Sequence, residues 1–149
     1  MPMTVQEILD DKVGQGGRTV SLAPGAPVRE VVATMVGENI GSVVIMDGGA
    51  LAGLLTLREV VQGLASRGAG LLDTAAREVM NASPVIVQPA DSADGLRSMM
   101  TERHVSHAVV MGEGGLAGII SFHDIARSAV KDVAFENRLL KQYIKNWPQ

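Results

Sequence analysis

Apolar residues along the chain switch between two spacings. Val28, Val31, Val32 and Met35 recur every three or four residues, the spacing of one helical face. Pro27 before them suits a first helical turn, and the pattern fades near Asn39. Ser42 to Met46 then reads as a continuous apolar strand, Asp47-Gly48-Gly49 as a hairpin turn, and Leu51 to Leu55 as the returning strand. Thr56 follows with Glu59 three residues on, a reciprocal N-cap, and predicts a helix through Leu64 that stops in residues 66–70 (SRGAG). Upstream, Thr4 and Glu7 predict a short capped helix to Leu9. Lys12 to Gly17 reads as a loop and Thr19 to Leu22 as a short strand.

The same order then returns. Leu72 to Met80 predicts a short helix, Val85 to Val87 a strand, and Asp91 or Ser92 the cap of a helix through Arg103. His107 to Met111 is a strand, Gly112 to Gly115 the turn and Leu116 to Ile120 the return. Ser121 caps the next helix, with Asp124 three residues on. Gly53 and Gly118 set the shift at 65 residues (118 − 53), and residues 20–61 align with 85–126 without a gap. Nine of those 42 positions are identical: Val20, Pro24, Met35, Val44, Met46, Gly49, Leu51, Ala52 and Gly53 each meet their own kind. A repeat of this length governs the fold. Each unit reads β-α-β-β-α, and about 60 residues bury little core alone. The expected architecture is therefore α/β (α+β), two units over 1–70 and 71–130 packed with pseudo-twofold symmetry. An uninterrupted pattern from Phe122 to about Trp147 adds a C-terminal helix extension over 131–149, which carries the only Tyr and Trp and is expected either to pack across the module or against a second copy, or to be an ordinary terminal helix.

Composition narrows the partners. The chain of 149 residues is 46% hydrophobic but only 3% aromatic, so its core is aliphatic. A net charge of −3 with scattered basic residues offers no footprint for nucleic acid. Cysteine is absent, which excludes disulfide and thiol chemistry and fits a reducing cytoplasm. The stretch MPMTVQEILDD is acidic and polar, without the basic n-region and apolar h-region of an export signal, and no apolar run reaches the roughly 18 residues of a membrane helix. A cytoplasmic protein without membrane insertion is expected.

Two segments carry a resemblance. Gly53-Leu54-Leu55-Thr56-Leu57-Arg58-Glu59-Val60 and Gly118-Ile119-Ile120-Ser121-Phe122-His123-Asp124-Ile125 each follow an apolar strand and a Gly-rich turn. Doubled in register, this resembles the tandem CBS (cystathionine β-synthase) domain pair, or Bateman module, from about Val5 to about Val130, in the small stand-alone bacterial form. The resemblance implies a regulatory sensor that binds AMP, ADP, ATP, NAD or S-adenosylmethionine in clefts between the units and dimerises into a flat disc.

The residues give such binding a physical basis. A Ser or Thr hydroxyl at a helix N-terminus lies among free backbone N–H groups that favour anions, and a carboxylate one turn on can accept both hydroxyls of a ribose. By the resemblance, the stronger cleft takes Asp124 as the ribose acid beside Ser121 and His123, His107 toward phosphate, and Arg18, Thr19 and Val20 as the opposite wall. The weaker cleft takes Thr56, Arg58 and Glu59, with Ser42 where the other has His107, and Ser83 to Val85 as its wall. Glu59 stands one methylene further out than an Asp, so unequal clefts are expected. Both carboxylates also serve as caps, with or without a ligand. His104, His107 and His123 are the only histidines, and their placement at a helix end, a strand start and a helix start gives no convergent metal site.

Three functions compete. A non-catalytic regulatory module would signal through dimer contacts or an unidentified regulated protein. An assembly module would keep the fold with vestigial clefts. An enzyme lacks support: no P-loop, nucleophile elbow or HExxH occurs, and Gly14-Gln15-Gly16-Gly17 is too short for a dinucleotide fingerprint. The regulatory reading is the one preferred, with no cofactor required.

Overall fold

A computed structural model describes residues 3–14 and 19–129 of the chain. The repeat is realised as two three-stranded sheets. In the first, β1 (Ser21–Leu22) runs parallel to β2 (Ser42–Asp47), which pairs antiparallel with β3 (Ala50–Thr56). The second repeats that order with β4 (Ile86–Val87), β5 (His107–Gly112) and β6 (Gly115–Ser121). Helices α1 (Val5–Gly14), α2 (Val28–Glu38), α3 (Leu57–Arg67) and α4 (Ala93–Arg103) complete the named elements, and residues 122–129 are helical. The expected α/β architecture of two β-α-β-β-α units is what forms. The reading of a helix on to Trp147 lies outside the described residues.

The caps form as the spacing predicts. Thr56 and Glu59 make a reciprocal box at α3, and Ser92 caps α4 by accepting the Gly95 N–H at 3.2 Å. Helices α2 and α4 both end on a left-handed residue, Asn39 and His104, each with φ 54°. Asn tolerates that conformation better than most residues. Gly48 and Gly49 turn the first hairpin with φ of 59° and 90°, values open to glycine.

Three expectations are corrected. The loop expected from Lys12 begins later, because α1 continues through Gly14. The helix expected over Leu72–Met80 is instead two 3-10 turns, Gly68–Asp73 and Ala76–Glu78. Between them Ala75 bridges Pro27 in extended form, and Val28 N–H donates to the Thr74 carbonyl at 2.8 Å. These long-range bonds take the backbone out of the helix. The outer strands are also shorter than expected, two residues each.

Three clusters make the core. Val44 and Leu54 of one sheet meet Val109 and Ile119 of the other at the centre. Val31, Met35, Val43, Ile45 and Leu55 fill the first unit together with Ala76 from the second half. Val5, Ile8 and Leu9 of α1 pack with Val110, Ile120 and Met100 of the second unit. The first helix therefore docks on the second sheet, which brings its last turn to the second unit's β6. Among the described residues no helix is long and apolar enough to cross a membrane.

Candidate functional site

Two cavities flank the junction of the sheets, and each is built from both units. In each, the capped start of one unit's last helix faces the bend that follows the other unit's central helix.

The first cavity, about 310 Å³, has Ser121, His123 and Asp124 on one side and Asn39, Gly41 and Ser42 on the other. Thr19, Val20, Ile40 and Ile119 add its mostly apolar walls. Ser121 N–H donates to Asp124 Oδ2 at 2.8 Å, and Asp124 N–H donates to Ser121 Oγ at 3.0 Å. This reciprocal cap fixes the carboxylate. Two cations then converge on it. Lys12 of α1 pairs with Oδ2 at 3.0 Å and Arg127 with Oδ1 at 3.1 Å. Lys12 Nζ also donates to the Ile119 carbonyl at 2.8 Å. Burial by itself would raise the Asp124 carboxyl, but the Ser121 N–H and the Lys12 ammonium outweigh it and hold its pKa below the ordinary value. Asp124 is thus a buried anion at neutral pH.

His107 enters from the start of β5, opposite Ser121 in register. Its Nδ1 lies 2.7 Å from Ser106 Oγ. Burial, with Lys12 nearby, lowers its pKa, so the ring is neutral at pH 7.

The second cavity, about 330 Å³, has Thr56, Arg58, Glu59 and Gln62 facing Val105, Ser106 and His107. Thr56 N–H and Thr56 Oγ donate to Glu59 Oε1 at 2.8 and 2.6 Å. Arg58 Nη1 donates to the His104 carbonyl at 3.3 Å. Among the described residues no cation is paired with Glu59.

The expected groupings are partly rearranged. Asp124, Ser121, His123, His107, Thr19 and Val20 do gather at the first cavity, whereas Arg18 lies outside the described residues. Thr56, Arg58 and Glu59 gather at the second. Ser42 faces the first cavity instead, and His107 lines both. Ser83 and Val85 are not among the lining of the second cavity, where Asn81 and Pro84 stand. Sequence reading missed Lys12 and Arg127. Arg127 had a usable signal, since three residues after Asp124 on a helix places it on the same face. Lys12 had none, because its approach depends on how α1 docks. Among the described residues no group of three or more His, Cys, Asp or Glu is placed to hold a metal ion.

Comparison with known proteins agrees with this fold. The family model described as "CBS domain" matches twice, at residues 5–66 and 76–131. A mitochondrial CBS domain-containing protein of Arabidopsis thaliana is 27% identical over 79% of this chain, which spans 60% of that relative's length. The crystal structure of a CBS-domain protein from Agrobacterium tumefaciens superposes with a TM-score of 0.76 at 33% identity, covering 85% of this chain and 98% of the other. At lower identity, 24% and 19%, the fold also matches a Pyrobaculum aerophilum CBS protein complexed with AMP and the CBS domain pair of protein MJ0100 complexed with 5′-methylthioadenosine and S-adenosylmethionine. Their TM-scores are 0.73 and 0.76, each covering 89% of this chain and 99% of the other. With two matched segments that together span most of its length, the chain belongs to the CBS domain family, as a tandem pair.

Proposed function

We propose that this chain is a non-catalytic regulatory module that binds an adenosine nucleotide (AMP, ADP, ATP or NAD) at the junction of its two units, principally in the first cavity. The observation that carries the reading is the capped, buried Asp124 carboxylate, which stands beside apolar Val20, Ile40 and Ile119 and two cations in one cleft. A carboxylate for ribose hydroxyls, aliphatic walls for a flat base and a cation for phosphate are the three recognition elements a nucleotide needs. A volume near 310 Å³ lies at the small end of the roughly 300–1,000 Å³ usual for such sites. The ligands of the AMP-bound and S-adenosylmethionine-bound relatives share an adenosine moiety, which supports the class without choosing its member.

Because both units line each cavity, a ligand bridges them. Binding can then bias their relative packing, which is the element a regulated partner would read. Homodimerisation is part of the proposal: Leu57, Val61 and Leu64 form an exposed apolar stripe along α3 at spacings of four and three. Sedimentation of Val61→Glu tests that part, with a shift to monomer expected.

The principal test is isothermal titration of AMP, ADP, ATP, NAD and S-adenosylmethionine into the unaltered chain, Asp124→Ala and Glu59→Ala. Binding lost in Asp124→Ala and kept in Glu59→Ala is expected. No heat with any of the five would refute the sensor reading and leave an assembly module, to be sought by its partners.

A further inference from the structure

Lys12 is the last basic residue of α1, and its ammonium sits inside the first cavity. It donates to the Ile119 carbonyl and pairs with Asp124 Oδ2. The pair is mostly withdrawn from water: the side chains are 19% and 6% exposed. The carboxylate suited to ribose is therefore already engaged by an internal cation. The second cavity differs on this point. Glu59, at the same repeat position as Asp124, has no paired cation among the described residues. Ser83, which takes the place of Lys12 when the two segments are matched through their paired backbone bonds (Val5 N–H to the Asp91 carbonyl, Ala76 N–H to the Ala26 carbonyl), is uncharged and does not line that cavity.

We propose that Lys12 makes the first cavity selective for phosphorylated nucleosides: ribose hydroxyls take its place on Asp124, and the ligand's phosphate takes over its ammonium. The inference rests on the adenosine reading above. The argument is one of charge balance. Two hydroxyls donating to Asp124 can replace the ammonium as partners of that carboxylate. The displaced ammonium then needs another anion, since a part-buried charge without a partner is strongly unfavourable. A phosphate supplies that anion. Adenosine does not, and S-adenosylmethionine brings a further positive sulfonium. The four-carbon stem lets the ammonium travel while Val5, Ile8 and Leu9 keep α1 anchored in the second unit's core. Arg127, paired with both Asp124 and Asp11, remains to hold the carboxylate in place.

The test compares AMP and adenosine by isothermal titration in a Glu59→Ala background, so that the second cavity is silenced. With Lys12 present, AMP is expected to bind about 10- to 100-fold more tightly than adenosine. In Lys12→Met the ratio is expected to fall to within about threefold, since adenosine gains a free carboxylate and AMP loses its cation. Lys12→Arg is expected to restore most of it. An unchanged ratio in Lys12→Met overturns the proposal while AMP binding that depends on Asp124 keeps the adenosine reading intact. Should Lys12→Met fail to fold, adenosine binding as tightly as AMP to the chain with Lys12 overturns it equally. Loss of any Asp124-dependent AMP binding overturns both.

Discussion

Asp124→Asn isolates the charge of the carboxylate from its capping role. An amide oxygen still accepts the Ser121 N–H, so the helix start stays capped, while Lys12 and Arg127 lose their anion. Removing one partner of a fully buried pair costs about 3–5 kcal/mol, and of an exposed pair about 0.2–1 kcal/mol. Here the carboxylate is buried but its two cations keep 19% and 26% exposure. The expected loss is therefore intermediate, about 2 kcal/mol, or roughly 4–8 °C in melting temperature for a chain of this size. The pH dependence gives a second reading. A carboxyl whose folded pKa is depressed contributes stability that is present above its unfolded pKa and lost as pH falls through the folded value. The gap between Asp124→Asn and the unaltered chain should thus be constant near neutrality and narrow only below about pH 4. Thermal melts followed by circular dichroism from pH 7 to 2.5 measure both. Equal melting temperatures at pH 7, or a gap that persists to pH 2.5, would refute the view that this ion-pair set stabilises the fold.

The two repeat glycines should behave differently. A Cβ on Gly53 would meet the Asn81 carbonyl oxygen and Met80 Sδ at 2.7 Å, so Gly53→Ala should cost about 3 kcal/mol by urea denaturation. At Gly118 the nearest atom is the flexible end of Leu9, at 2.9 Å, and Gly118→Ala should cost about 1 kcal/mol; equal losses would contradict the contrast. Thr56→Ala removes the hydroxyl that accepts the Arg58 N–H and donates to Glu59, and should cost about 1 kcal/mol in the same assay. His107 has a folded pKa lowered chiefly by burial, so its unfolded form takes a proton first. Its contribution to stability should hold above about pH 6.5 and decline as pH falls below it. His107→Gln should flatten urea midpoints between pH 7.5 and 5, and an undiminished slope would assign the titration elsewhere.

What could be read without the structure was whatever local chemistry decides. Thr56 with Glu59 and Ser121 with Asp124 cap because a hydroxyl and a carboxylate three residues apart satisfy each other's backbone. Gly48 and Gly49 turn because they reach positive φ without strain. What stayed illegible depends on contacts between distant segments. Residues 72–80 have helical spacing, yet Thr74 and Ala76 bond to the segment before α2 instead. Lys12 to Gly17 reads as a loop, yet α1 continues through Gly14, its apolar face docked in the second unit's core. Ser42 was expected beside Thr56, its neighbour in the ladder, but it faces the first cavity across from Ser121, whereas its repeat counterpart His107 lines both cavities.

That symmetry also explains where the two halves agree. The central cluster holds Val44, Met46, Leu51 and Leu54 against Val109, Met111, Leu116 and Ile119, four pairs each related by the repeat. Three of the four are identical. Side chains near a pseudo-twofold axis meet their own counterparts, so a larger residue on one side must be offset on the other to keep packing density. Matching residues satisfy that condition directly. The cavities lie off the axis, and each takes one cap and one bend from opposite units, so the two sites share few contacts. Ser42 and His107, Arg58 and His123, Glu59 and Asp124, and Gln62 and Arg127 all differ there. The packing that forces likeness at the centre places no such demand on the cavities, which leaves one fold free to build two sites of unlike charge.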